Sequence, residues 1–236
     1  MILFDLDGTL RHNRPAFTDS FMDYAAQQGV NASLEQRWQT TRWTHYYWAS
    51  SPELAADDRA FGGLEPEFWT NYARRCLEVL GASAEVAHLL APEMHRYMSE
   101  DHQTEDWVPP EVPETLQALK DAGFRLGVVS NREHSYKEYL TQVGLLEYFD
   151  LALVAGEVEA WKPDPRIFEH ALDQLGYAPA QAVYVGDNYY ADIQGAYKAG
   201  LQPVLIDPDG LFPEAECPII HSLAELPGIL SLSLQR

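Results

Sequence analysis

Two kinds of hydrophobic pattern alternate along the chain. Ile2-Leu3-Phe4 is a short, continuous apolar run that stops at Asp5-Leu6-Asp7-Gly8-Thr9, which predicts a buried strand feeding a glycine-containing loop. From Pro15 to Asp106 the apolar positions recur at helical spacing instead: Phe17, Phe21 and Tyr24, then Trp43, Tyr46 and Tyr47, then the stretches 66–80 and 84–97. Ser50 through Gly63 reads as a turn-rich break among these helices, and no strand is predicted in the block. After Pro109-Pro110 the two patterns alternate. Helices are predicted over 112–122 (stopped by Gly123), 133–143, 166–175 and 191–199 (closed by Gly200), and strands over 125–129, 151–154, 182–185, 203–206 and 219–220. Short β-rich runs separated by amphipathic helices predict an α/β fold: a Rossmann-like parallel sheet with helices on both faces. Residues 1–14 and 107–236 would form this core, and residues 15–106 an inserted all-α domain.

Composition narrows the class. The chain has 236 residues, 46% of them apolar, with 16 Lys plus Arg against 36 Asp plus Glu for a formal charge of −20. A surface so acidic repels nucleic-acid backbones and anionic lipid, so neither is an expected partner. Aromatic residues at 12% argue against a disordered acidic tail. No apolar run approaches the roughly 18 residues of a membrane span. The start, Met-Ile-Leu-Phe-Asp, lacks the basic region of a secretory signal, and Cys76 and Cys217 make no disulfide framework. These features predict a cytoplasmic protein with two buried thiols, working as a monomer or homodimer.

In an open parallel sheet the working groups lie at the carboxyl ends of the strands. Read in order, those ends carry Asp5 and Asp7, Ser130 and Asn131, then Lys162 after a loop, then Asp187 and Asp192. Each has an ordinary reading. Asp-Leu-Asp-Gly-Thr makes a capped turn, Ser130 and Asn131 with Glu133 make a helix N-cap, and Lys162 is a solvated loop lysine. Together they point elsewhere, because carboxylates gathered at one edge repel unless something neutralises them. A hard divalent cation does so, and Mg²⁺ favours a few carboxylates plus water and a substrate phosphate. Four aspartates, one lysine and one Mg²⁺ leave a single net negative charge, so such a pocket accepts an anion once one carboxyl is protonated.

The same residues resemble the haloacid dehalogenase-like hydrolase superfamily, in particular its Mg²⁺-dependent phosphatases with a helical cap inserted after the first motif. The resemblance rests on Asp5-Leu6-Asp7-Gly8-Thr9-Leu10, Val128-Val129-Ser130-Asn131, Lys162-Pro163-Asp164-Pro165, and Gly186-Asp187-Asn188-Tyr189-Tyr190-Ala191-Asp192, in the family's order. Trp161 and Asn188 depart from it, where Gly and Ser are frequent. The resemblance implies Asp5 as nucleophile and Asp7 as general acid and base. Gly8, Thr9, Ser130, Asn131 and Lys162 would surround the phosphate. Asp5, the main-chain carbonyl of Asp7, and Asp187 would hold Mg²⁺, with Asp192 and Asn188 behind them. The implied reaction hydrolyses the phosphate monoester of a small metabolite through an aspartyl-phosphate.

Other chemistries stay open at this level. A sugar-phosphate mutase uses the same core. A 2-haloacid dehalogenase needs neither metal nor an acid for its halide, which the presence of Asp7 and Asp187 argues against. A phosphonate hydrolase of this family needs a cap lysine, and the first lysine in the chain is Lys120. A non-enzymatic phospho-acceptor domain would be shorter and lack the second aspartate. In the insert, Trp38, Trp43, Tyr46, Tyr47 and Trp48 offer either a substrate wall or ordinary helix packing, and Arg37 and Arg42 either an anion contact or surface ion pairs.

Overall fold

The computed structural model describes residues 1–63 and 65–233. In chain order, strands β1 (Ile2–Phe4) and β2 (His12–Arg14) precede helices α1 (Phe17–Gln27), α2 (Leu34–Trp48), α3 (Pro52–Phe61), α4 (Pro66–Val79) and α5 (Ala84–Arg96). Then come β3 (Glu105–Trp107), α6 (Glu111–Asp121), β4 (Leu126–Ser130), α7 (Lys137–Gln142), β5 (Leu151–Val154), α8 (Ala155–Val158) and α9 (Pro165–Leu175). The last elements are β6 (Val183–Gly186), α10 (Gln194–Lys198), β7 (Gln202–Ile206), β8 (Ile219–Ile220) and α11 (Leu226–Ser233).

Six strands form one sheet in the order β5-β4-β1-β6-β7-β8, with every pairing parallel. Strand β1 lies inside the sheet, Leu3 opposite Gly127 on one side and Tyr184 on the other. Its side chains alternate between the two faces, as a pleated strand requires. Ile2 and Phe4 join Val128, Leu116 and Leu140 in one hydrophobic cluster, whereas Leu3 joins Val129, Phe168, Tyr184 and Ala196 in another. The α/β core with a parallel sheet is therefore the fold that the alternating pattern predicts.

The chain divides into two compact units, Met1–His12 with Trp107–Arg236, and Asn13–Asp106. The sequence pattern divides the chain after residues 14 and 106; these compact units divide after 12 and 106, within strands β2 and β3, which pair with each other. The second unit has its own cluster around Phe21, Met22, Leu77, Leu80 and Met94. Tyr47 is fully buried and donates a 3.0 Å hydrogen bond to Asp57, which also pairs with Arg75 at 2.7 Å. Trp48 donates to the Tyr72 hydroxyl at 3.1 Å. Within this unit lies a cavity of about 460 Å³ whose walls include Phe17, Phe21, Trp48, Trp69, Tyr72 and Met98. Arg37 is engaged by Asp23 at 2.9 Å on an exposed face.

Three sequence expectations change. The turn-rich stretch after Ser50 contains helix α3: Ser51 caps Leu54, Pro52 opens the first turn, and Gly62 ends it in the left-handed conformation. Proline and glycine punctuate that helix rather than break it. The helix expected from residue 133 starts only at Lys137, after a non-helical segment whose first residues, Asn131 and Arg132, bond to other loops. The segment expected as one helix over 191–199 opens with a π-helical turn, Tyr189–Ile193, before α10. Helices α8 and α11 are not among the elements that the periodicity predicts.

Candidate active site at the carboxyl edge of the sheet

The loop after β1 is a closed turn. Gly8 N–H donates to the Arg11 carbonyl at 2.8 Å, and the N–H groups of Leu10 and Arg11 donate to the Leu6 carbonyl. Gly8 has φ +92°, and a Cβ there would run into the Asp187 carboxylate, so only glycine fits. Its main-chain N–H closes the loop, so Gly8 lets the chain turn tightly beside Asp187. The Thr9 hydroxyl donates to Asp187 at 3.3 Å.

Strand β1 delivers Asp5 to the sheet edge, where its N–H donates to Val185 in the neighbouring strand β6. The Lys162 ammonium, 2% exposed, reaches Asp5 at 2.5 Å, Asp192 at 2.6 Å and the Tyr184 hydroxyl at 2.9 Å. The Tyr184 hydroxyl in turn donates a hydrogen bond to the Val129 carbonyl at 3.0 Å. Burial disfavours the charge on Lys162, but the Asp192 and Asp5 carboxylates outweigh it and hold the ammonium more strongly protonated than an ordinary lysine. Burial in turn pushes the Asp5 carboxyl up to about 7, against the pull of Lys162 and with Asp192 and Asp7 adding to the rise.

Strand β6 ends at Gly186, and Asp187 and Asn188 follow. Loss of solvent, with Asp5 and Asp192 close by, raises the Asp187 carboxyl well above the usual range. Asn188 caps the π-helical turn by accepting from the N–H groups of Tyr190 and Ala191, both at 3.0 Å. Its own N–H donates to Asp192 at 3.0 Å. Asp192 thus has one oxygen on Lys162 and the other on Asn188. Gly186 allows this, since a Cβ there would collide with the Asp192 carboxyl.

Ser130 ends β4 and is buried, with its hydroxyl free of hydrogen bonds among the described residues. The Asn131 side-chain amide accepts from the Lys162 N–H at 2.6 Å and donates to the Lys162 carbonyl at 3.0 Å, so it braces the lysine's backbone.

Asp7 stands apart from the buried carboxylates. Arg132 grips it with two parallel bonds, Nε to Oδ2 and Nη2 to Oδ1, both 2.8 Å, and Arg11 adds a third at 2.9 Å. Its side chain is 38% exposed, against 9% for Asp5. Arg11, Arg132 and Tyr184 are absent from the sequence expectations. The first two were detectable as the arginines nearest the ends of the first two motifs, and Tyr184 as the hydroxyl inside an otherwise apolar strand.

Oxygen atoms of Asp5, Asp187 and Asp192 lie within 4.8 Å of one another. Three carboxylates share this space with one ammonium, and their hard oxygen donors suit a small divalent cation such as Mg²⁺. Burial above all, with the neighbouring carboxylates adding to it, raises the carboxyls of Asp5 and Asp187. Among the described residues no helix is long and apolar enough to cross a membrane. Both cysteines are buried as free thiols, and burial pushes Cys76 up to about 12.

Comparison with known proteins follows the same line. A family model described as haloacid dehalogenase-like hydrolase matches residues 1–200. The chain is 33% identical over 234 residues to a phosphoserine phosphatase of Thermus thermophilus, covering 91% of this chain and 90% of that one. Among solved structures, a haloacid dehalogenase-family phosphatase from Thermococcus onnurineus matches with a TM-score of 0.57 at 26% identity, covering 97% of this chain and 96% of that one. A 2-haloacid dehalogenase from Pseudomonas syringae pv. Tomato matches at 0.56 and 29%, covering 98% and 97%. The chain belongs to the haloacid dehalogenase-like hydrolases.

Proposed function

We propose that this haloacid dehalogenase-like hydrolase is a Mg²⁺-dependent phosphatase of a small metabolite, working through a phosphorylated Asp5. The observation that carries the reading is Asp5 itself. It is a buried carboxylate held at 2.5 Å by Lys162 and grouped with Asp187 and Asp192, with a second aspartate two residues on at the exposed lip.

Asp5 attacks phosphorus, and the bond to the ester oxygen breaks as Asp7 gives that oxygen a proton. Water then attacks phosphorus, Asp7 takes a proton from it, and the bond from phosphorus to Asp5 breaks, releasing phosphate. Lys162 offsets the charge on Asp5 and on the phosphoryl oxygens, and Ser130 donates to one of them. Asp192 acts through Lys162, which it holds in place. Asp5, Asp187 and the main-chain carbonyl of Asp7 would hold Mg²⁺. When bound, the ion supplies positive charge for the phosphoryl oxygens and relieves the repulsion among the aspartates. A halide needs no proton donor, so Asp7 favours phosphoryl transfer over the chemistry of the Pseudomonas neighbour. The Thermus relative places phosphoserine first in a substrate panel.

Hydrolysis of p-nitrophenyl phosphate tests the reading. Turnover should require Mg²⁺, cease with EDTA, and fall by about a thousandfold or more in Asp5→Asn and in Asp7→Asn. Full activity in Asp5→Asn overturns the nucleophile, and chloride release from 2-chloropropionate without phosphatase activity overturns the reaction class.

A further inference from the structure

The pair of arginines on Asp7 calls for a reason of its own. Asp7 is one carboxylate, and two guanidiniums converge on it. Arg11 is nearly buried, with 10% of its side chain exposed, and suffices to balance that charge and fix its position. Arg132 is different. Its side chain is 36% exposed, and it spends one donor of Nε and one of Nη2 on Asp7. A guanidinium carries five N–H donors in a planar fork. The remaining donors of Arg132 meet no acceptor among the described residues. Beside both guanidiniums lies Tyr139, its ring centre 5.9 Å from each. Its hydroxyl is buried and makes no hydrogen bond among the described residues, an unusual state for a buried polar group.

On the phosphatase reading, an ester oxygen hydrogen-bonded to Asp7 lies about 5–6 Å from the Arg132 guanidinium, the span of two hydrogen bonds. The substituent on that oxygen points away from the buried floor and toward the exposed lip. Any group two or three bonds along it comes within reach of the free side of the fork. One guanidinium balances Asp7, so at the lip the second leaves one positive charge beyond what that carboxylate needs. In a protein of charge −20, such local excess draws an anion. A planar fork with parallel donors selects a carboxylate by geometry as well as charge.

We infer that Arg132, backed by Arg11 and Tyr139, forms a subsite for a carboxylate on the alcohol half of the substrate, so that the enzyme acts on phosphate esters of small hydroxy acids. This rests on the phosphatase reading for its chemistry but not for its binding.

Matched pairs test it. O-Phosphoserine and O-phosphoethanolamine differ only by a carboxylate, and 2-phosphoglycolate and ethyl phosphate differ by a carboxylate in place of a methyl. The acid should be favoured in kcat/KM by roughly ten- to a hundredfold in each pair, mainly through KM. Arg132→Ala should bring both ratios close to one, and Arg132→Lys, which keeps the charge without the fork, should restore part of the preference. Because Arg132 also touches Asp7, the ratio is the readout rather than the rate. A purely positioning role lowers kcat for both members alike and leaves the ratio standing, which overturns the subsite. Calorimetry on Asp5→Asn with the same ligands needs no turnover. Tighter binding of phosphoglycolate than of ethyl phosphate, lost when Arg132→Ala is added, supports the subsite even where the phosphatase reading fails. Equal binding of the two overturns it.

Discussion

At the residue scale, the chemistry of the site turns on charges that do not balance. Lys162 touches two carboxylates, Asp187 belongs to the same cluster, and burial denies all of them the solvation that would make the imbalance harmless. The Asp5 carboxyl is pushed to about 7 in the folded chain, above the roughly 3.9 of an unfolded one. The folded state therefore holds that proton more tightly, and in the cation-free protein this group's penalty is absent below about pH 4 and grows as the pH rises toward 7. A cation bound to the ionised aspartates acts in the opposite sense. Mg²⁺ should raise the thermal midpoint clearly at about pH 8 and hardly at about pH 5.5, as read by scanning fluorimetry. An equal rise at both values would remove the carboxylate cluster as the binding site. The sequence located Asp5, Asp7, Lys162, Asp187 and Asp192 because short strands put their loops at one edge. It concealed the partners, since the turn of an amide or a guanidinium depends on loops far apart in the chain. Asn131 bracing Lys162, and Arg132 reaching Asp7, are of this kind.

At the element scale, the elements hold the loops in register through close approaches that only small residues permit. Gly195 opens α10 against Phe168 on α9 and Pro163 in the lysine loop; a Cβ there would come 2.8 Å from the ring and 3.0 Å from the proline Cα. Gly195→Ala should cost about 1–3 kcal/mol in denaturant unfolding, and it should lower kcat by displacing the loop that carries Lys162. Unchanged kinetics alongside the stability loss would separate that helix contact from the site. The sheet was legible because its strands are short continuous apolar runs. Helix α3 was hidden by its own caps, Ser51, Pro52 and Gly62, which are also the residues of turns. The late start of α7 was hidden because the spacing of apolar positions over 133–143 does not show that residues 133–136 stay outside the helix.

At the scale of the whole molecule, the hydrophobic clusters respect the division of the chain. Those around Phe4, Leu3 and Phe212 draw only on Met1–His12 and Trp107–Arg236, and the one around Leu77 only on Asn13–Asp106. Four of the six tryptophans, at positions 38, 43, 48 and 69, lie in the second unit. Fluorescence should therefore report mainly on the helical unit. Leu77→Ala, at a fully buried position, should cost that unit about 2–5 kcal/mol and lower the fluorescence midpoint, while amide exchange in β1 and β6 keeps its protection. A matching loss of protection in those strands would show one cooperative unit instead of two.

The pairing of β2 with β3 carries a last consequence. Paired strands lie about 5 Å apart, so the chain leaves for the insert and returns from it at almost the same point. Residues 15–104 are thus a loop closed at its base by one strand pair, however many helices they contain. Loops closed in this way can be lengthened, shortened or exchanged at little entropic cost. The insert is accordingly a graftable part: a different helical bundle, or a short turn, can be spliced between Arg14 and Glu105 without rewiring the sheet that carries the aspartates.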